Sequence, residues 1–240
     1  AVYKAYSDGV YDSVNNRIYM TPYKQSDESE WHYIDCNTGQ VISYSHGLSL
    51  SDMAYTDSVY DPVNQRVYLV PYKQTTESEW HYIDCQTGQV IAYANTTSLD
   101  ENIAYSKGVY DSVNQRIYLI PREQSDEQYW HYIDCQTGQI EAYSHGSSAV
   151  NLGYYDGVYD PNKQRIYFVP SIQSYKSAEW HYLDCATGEV VAYEHEATVN
   201  GTYSRGVYDP INKRICLIPN GQMDENTWHY IDCETGKVVG

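Results

Sequence analysis

Apolar and polar positions alternate over short stretches of this chain, and the same stretches return. Gly9-Val-Tyr-Asp12, Arg17-Ile-Tyr-Met-Thr-Pro22, Trp31-His-Tyr-Ile-Asp-Cys36 and Val41-Ile-Ser-Tyr44 are strand-length runs rich in β-branched and aromatic residues, separated by turn formers. The tryptophan of the third run recurs at Trp80, Trp130, Trp180 and Trp228, at intervals of 48 to 50 residues, a period that belongs to solenoids and propellers. Four short strands in such a unit make one propeller blade, and one blade has too little core to stand alone. The pattern predicts an all-β fold: a five-bladed β-propeller with four antiparallel strands per blade, closed as a single domain. The blades approximate residues 1–50, 51–99, 100–149, 150–199 and 200–240.

Within a copy, each run has a place. Gly9, Gly108, Gly157 and Gly206, with Ser58 as the departure, head a strand that suits the crowded innermost position. Asp61-Pro-Val-Asn-Gln-Arg66 is a type I turn signature, and an Asp–Arg pair across the hairpin neck is expected of Asp12 with Arg17 and their copies. The proline ending the second run marks a strand exit into a polar loop. Each such loop holds one glutamine (Gln25, Gln74, Gln124, Gln173, Gln222) and, in four of them, an acidic residue at a common place (Glu28, Glu77, Glu127, Glu225). Gly39, Gly88, Gly138, Gly188 and Gly236 should supply the left-handed residue of the hairpin between third and fourth strands. The repeated Trp31, Trp80, Trp130, Trp180 and Trp228, with His32, His81, His131, His181 and His229 beside them, form the expected core between blades. His46, His145 and His195 fall in the links and are expected to be exposed.

Composition narrows the partners. A net charge of −17 opposes nucleic acid and anionic membrane surfaces, both of which need basic patches. No apolar run approaches the roughly 18 to 20 residues that span a bilayer. Twenty-nine tyrosines against the single Phe168 point to interfaces stitched by phenol hydrogen bonds. Cys36, Cys85, Cys135, Cys185 and Cys233 hold one repeat position, on the order of 15 Å apart in a ring and beyond the roughly 7 Å reach of a disulfide, while Cys216 stands where the other copies have Tyr19, Tyr68, Tyr118 and Tyr167, with a cross-strand approach to Cys233 left open. Free thiols suit a reducing, cytoplasmic compartment, and the chain is expected to be a soluble monomer.

The hairpin Ile-Asp-x-x-Thr-Gly-x-Val resembles the third-to-fourth-strand turn of YVTN-type and quinoprotein-type propeller repeats. The fuller pattern Gly-Val-Tyr-Asp-Pro, Arg-Ile-Tyr, Pro-Tyr, Trp-His-Tyr-Ile-Asp-Cys-x-Thr-Gly is similar to tandem repeats in proteins of giant DNA viruses. That resemblance covers all five copies and implies a propeller without implying an activity.

Three kinds of chemistry can be weighed. A metal site built on one strand fails, because His32 and Asp35 point to opposite faces while His32 and Cys36 lie about 13 Å apart. Glycosidase-like catalysis needs carboxylates in unlike environments, whereas Asp12, Asp61, Asp111, Asp160 and Asp209 hold like ones. No catalytic residue, metal or cofactor is expected. Binding remains: a non-enzymatic scaffold recognising protein through the acidic loop face and its glutamines, with a multivalent, lectin-like use of five Trp-, Tyr- and His-lined clefts as the alternative. Between Val239 and Tyr6 the chain offers fewer residues than the other links, so the outer strand of the last blade is expected to be cut short, with the ring closed by side-chain packing alone or flanking residues trimmed.

Overall fold

The runs form twenty strands in five antiparallel four-stranded sheets, each hydrogen-bonded in sequence order. The computed structural model describes residues 4–97, 99, 104–122, 128–146, 152–171, 178–195, 202–221 and 227–240. Among these there is no α-helix, and one 3-10 turn spans Lys73–Thr76. The five sheets are the blades of a propeller. Their inner strands are Tyr6–Asp12, Tyr55–Asp61, Tyr105–Asp111, Tyr154–Asp160 and Thr202–Asp209.

Glycine at the head of the inner strand is required by how closely the next blade approaches. A Cβ on Gly108 would lie 2.6 Å from Val59 Cγ2 and 2.9 Å from Val70 Cγ2 of the preceding blade, and one on Gly206 would meet Val158 Cγ2 at 2.5 Å. Ser58 escapes the clash because the residue facing it is Thr21, where the later blades carry Val70, Ile120 and Val169. The two hydroxyls lie 2.6 Å apart in a hydrogen bond. The departure from glycine and the departure from an aliphatic residue are therefore one compensated pair.

The third-strand tryptophans fill the space between blades. Trp31, Trp80, Trp130 and Trp180 are fully buried. Each has the edge of an outer-strand tyrosine of its own blade at 6.3 to 6.4 Å (Tyr44, Tyr93, Tyr143, Tyr193). Across the interface lie Tyr55, Tyr105 and Tyr203 at 6.0 to 6.4 Å and, for Trp130, Phe168 at 5.6 Å. The link histidines, expected in solvent, instead stack on these indoles: His46 at 4.4 Å, His145 at 4.0 Å and His195 at 4.2 Å. A flat ring that covers an indole face keeps more contact area buried than it would gain from hydration, which pulls His46 and His145 into the core. In the second blade Asn95 holds this place and ties the loop through Thr75 O (2.9 Å) and Glu77 O (2.8 Å).

Phenols cross from blade to blade where Tyr110 donates to Asp61 at 3.3 Å and Tyr159 to Asp111 at 3.0 Å; a second set acts within each blade. Inner-strand tyrosines bond third-strand histidines at Nδ1: Tyr6 to His32 and Tyr55 to His81 at 2.5 Å, Tyr105 to His131 and Tyr203 to His229 at 2.7 Å, and Tyr154 to His181. The hydroxyls of Tyr44, Tyr93, Tyr143 and Tyr193 lie buried with no partner among the described residues, so these rings serve as aromatic filler.

The turn after the inner strand differs from the expected ion pair. Asp61 Oδ1 accepts the Val63 amide at 3.0 Å and Oδ2 accepts Asn64 Nδ2 at 2.7 Å, while Asn64 Nδ2 also reaches Cys135 O of the next blade at 2.9 Å. Asp12 and Asp111 are held alike. Arg17, Arg66, Arg116 and Arg165 turn away and lie over Tyr33, Tyr82, Tyr132 and Tyr182 at 4.4 to 4.6 Å. Among the described residues only Arg214 pairs with its turn aspartate, Asp209, at 3.2 Å. Turn amides satisfy the carboxylate with less ordering than a long side chain requires, and the guanidinium gains a π face instead.

The boundary between the fifth and first blades is unlike the other four. Trp228 is 71% exposed, contrary to its expected place in the core; the outer strand of its blade is Val238–Val239. His32, also expected in the core, is half-buried, and Cys36 is exposed. Gly9 has only its own blade's Ile18 and Tyr19 near its Cβ position. Near the axis, Arg205 Nη2 of the fifth blade still reaches Asp8 Oδ2 of the first at 3.3 Å.

Two outcomes follow from this asymmetry. Trp130→Ala should cost about 3–5 kcal/mol, the usual range for emptying a buried aromatic site, and Trp228→Ala less than about 1 kcal/mol, as read from denaturant melts. Equal losses would contradict the packing described. Burial, with the preceding blade's aspartate added, pushes the Cys85 thiol up to about 12 and raises those of Cys135, Cys185 and Cys233 as well. A thiol reagent acting on the folded protein should therefore modify Cys36 first, Cys216 more slowly and the other four only on unfolding, as counted by mass spectrometry.

Candidate functional site: an asymmetric axial funnel

Every inner strand contains a break in register at the same place: between Tyr6 and Asp8, Tyr55 and Asp57, Tyr154 and Asp156, and Tyr203 and Arg205, and opposite Ile120 and Pro121 in the third blade. A bulge of this kind inserts an extra residue and interrupts period-2 alternation. It aims two successive side chains toward the axis. The bulge residues Ser7, Thr56, Ser106, Tyr155 and Ser204 all line one central cavity of about 480 Å³, joined by Asp8, Lys107 and Arg205 from the next position. Lys4, Tyr6, Tyr23, Tyr72 and Arg122 complete its wall.

The five residues that follow the bulges, Asp8, Asp57, Lys107, Asp156 and Arg205, break the five-fold symmetry of the chain. Lys107 Nζ donates to Asp57 Oδ1 at 2.8 Å and to Asp8 Oδ2, reaching from the third blade to the inner strands of the second and first. A side chain can bridge non-neighbouring blades only at the axis. Asp8 also accepts Arg205. The aspartates cap inner-strand amides that face the axis with no ladder partner: Asp57 Oδ2 accepts Gly108 N at 3.0 Å, and Asp156 accepts Gly157 N at 2.9 Å and Gly206 N at 3.1 Å.

Charge states follow from these contacts. Burial pushes Asp57 and Asp156 above the ordinary carboxylate range. For Asp8 burial acts the same way, but the hydrogen bond and charge of Lys107 outweigh it and hold the carboxyl below that range. Burial would lower Lys107, and the two carboxylates outweigh it, so the ammonium is held above its usual value. The floor of the funnel is a network of paired opposite charges; the wall above it carries Arg122, Lys4 and tyrosine rings.

Of the residues proposed from sequence as binding groups, Gln25 and Gln74 are buried. Gln74 is committed to its own loop: Nε2 donates to Glu79 O at 3.1 Å, and its main-chain carbonyl accepts Trp80 Nε1 at 3.1 Å. Glu28 and Glu77 are exposed on the loops between second and third strands. Gln124, Glu127, Gln173, Gln222 and Glu225 lie outside the described residues. In an up-and-down blade these loops share a face with the starts of the inner strands, so Glu28 and Glu77 stand on the face where the funnel opens. Among the described residues, no three His, Cys, Asp or Glu side chains converge as metal ligands would. The turn aspartates Asp12, Asp61, Asp111 and Asp160 are fully buried at the far ends of the inner strands and do not line the funnel. The unlike axial residues were visible in the sequence as variation, Ser-Asp, Thr-Asp, Ser-Lys, Tyr-Asp and Ser-Arg, directly before an otherwise constant Gly-Val-Tyr-Asp.

No family model and no curated protein matches the chain. Solved structures with the same fold include the hydrazine synthase of Kuenenia stuttgartiensis, at 13% identity and a TM-score of 0.65, aligned over 100% of this chain and 66% of that one. U3-55K aligns at 7% identity and a TM-score of 0.62 over 99% of this chain and 64% of its own. The chain thus spans just under two thirds of either protein. Likeness at this identity carries the propeller fold alone.

Burial lowers the imidazoles of His81, His131 and His181 to about 4, against about 6.5 in an unfolded chain. The unfolded state then binds more protons between these values, so this stability is full above about pH 6.5 and is lost as pH falls toward 4. The raised Asp57 and Asp156 act in the opposite sense over part of that range. The midpoint of thermal unfolding should fall between pH 6.5 and 4, and His131→Gln should make that fall shallower. An unchanged slope in the variant would show that the imidazole is accessible to protons in the folded state.

Proposed function

We propose that the protein is a non-enzymatic binding scaffold that recognises a protein partner through the face on which the axial funnel opens. The observation carrying this reading is where the repeats stop being equivalent. Core, turns and hairpins recur from blade to blade, while the bulge pairs, the residues after the strand-ending prolines (Tyr23, Tyr72, Arg122, Ser171, Asn220) and the links differ. Among the described residues, the bulge residues line the funnel together with Tyr23, Tyr72 and Arg122. Asp27, Glu28, Glu30, Glu77 and Glu79 are exposed on the face where it opens, and Glu28 is close enough to raise Tyr6, which lines the funnel. The partner accordingly presents basic side chains to the rim.

A lectin-like use of five equal clefts has less support, since four of its aromatic platforms are sealed between blades. Duplex DNA is repelled by a chain of this charge.

The test uses a dye-labelled lysine-rich peptide and fluorescence anisotropy. Binding should weaken steeply as salt rises from about 50 to about 300 mM, as screening shortens the reach of the rim, and Glu28→Lys combined with Glu77→Lys should cut it about tenfold or more with no loss of thermal stability. Salt-indifferent binding, or tight binding of duplex DNA near physiological salt, would sink the reading.

A further inference from the structure

Arg122 follows Pro121 at the position where the other blades carry Tyr23, Tyr72, Ser171 and Asn220. Its guanidinium lies over the rings of Tyr72 and Tyr155, at 5.7 and 5.5 Å, and Tyr72 in turn leans on Tyr23 at 6.0 Å. All four side chains line the funnel. Of the other three cations that line the funnel, Lys4 stands at the wall, Lys107 is matched by Asp8 and Asp57, and Arg205 by Asp8. Among the described residues no carboxylate comes within ion-pair distance of Arg122, and its buried Nε has no hydrogen-bond partner. A guanidinium cradled between two phenol rings and lacking a counter-ion is preorganised for a planar anion, which it can grip through two parallel N–H···O bonds.

The surroundings restrict which anion can reach it. The chain carries −17, and the loops around the mouth expose Asp27, Glu28, Glu30, Glu77 and Glu79. A polyanion is repelled before it arrives. A ligand with one terminal carboxylate and cations behind it meets attraction at both distances. A cavity of about 480 Å³ is of the size that encloses small ligands, and the tyrosine faces suit an apolar side chain next to the carboxylate. An extended peptide advances about 3.4 Å per residue, so the residues upstream of one that is seated here emerge toward the acidic loops.

We propose that the funnel captures the free C-terminal carboxylate of a basic protein tail, with Arg122 as the carboxylate ligand and the acidic loops engaging the Lys or Arg side chains that precede it. This rests on the scaffold reading above for the class of partner and adds the anchor.

The experiment compares two peptides of sequence GKGKGL, each dye-labelled at the N-terminus, one ending in a free acid and one in an amide, by anisotropy against the whole chain. The free acid should bind about tenfold or more tightly. Arg122→Gln should reduce the acid to the level of the amide while leaving the amide unchanged, and Arg122→Lys, which keeps the charge without the fork, should fall between. A thermal melt of each variant confirms that it is folded. Equal binding of acid and amide, full binding of the acid by Arg122→Gln, or no binding of either peptide would overturn the proposal. Equal, salt-sensitive binding of both peptides leaves the acidic face standing and removes the anchor. An acid preference that depends on Arg122 but ignores Glu28→Lys with Glu77→Lys keeps the anchor and removes the rim.

Discussion

The contact on which the rest of the structure depends is an indole pressed between two sheets. One blade has a face of aromatic and aliphatic residues and nothing of its own to cover it. Trp31, Trp80, Trp130 and Trp180 solve this by standing on one sheet and touching the inner or second strand of the next. Closing the sheets around so large a ring forces the inner strands together, and from that crowding come the glycines at 108, 157 and 206 and the Ser58–Thr21 exchange. The buried Tyr–His pairs follow as well, since a phenol and an imidazole brought out of water must satisfy each other.

Much of this was legible in the residues. The period set the number of blades, the turn formers set strand order within each, and Gly39 and its four copies do adopt positive φ, at 72° to 77°. What the sequence did not show lies where a physical rule is broken without a residue to mark it. The inner-strand bulge puts Ser7 and Asp8 on the same side, yet serine, threonine and tyrosine at that site are ordinary strand residues. Asn16, Gln65, Gln115, Gln164 and Lys213 hold left-handed conformations at 51° to 54° without being glycine, and their carbonyls accept the amides of Cys36, Cys85, Cys135, Cys185 and Cys233 at 2.8 to 3.0 Å. That bond offsets a conformational cost which composition alone would have argued against. His46 and His145 were read as surface because links are usually polar; a neighbouring indole decided otherwise.

The candidate site was partly legible for the same reason. Repetition directs attention to what is constant; of the constant glutamines that are described, Gln74 is bound into its own loop, while Gln25 lines a second cavity with Glu28 and His32. The residues that differ from blade to blade converge because the propeller axis is the one place where all five copies meet. Function in an internally repeated fold is best sought where the repeats disagree, and here they disagree in sign of charge, from Asp8 and Asp57 to Lys107 and Arg205.

The unequal boundary between the fifth and first blades has a consequence for how the molecule comes apart. In a linear array each unit is held by its neighbours, and cooperativity is the sum of nearest-neighbour couplings. Three blades have two such couplings. Among the described residues the first and fifth have one full interface each, plus an axial ion pair between Arg205 and Asp8 whose attraction fades as ionic strength rises. Opening should therefore begin at this seam and run inward, with the third blade exchanging its amide protons last.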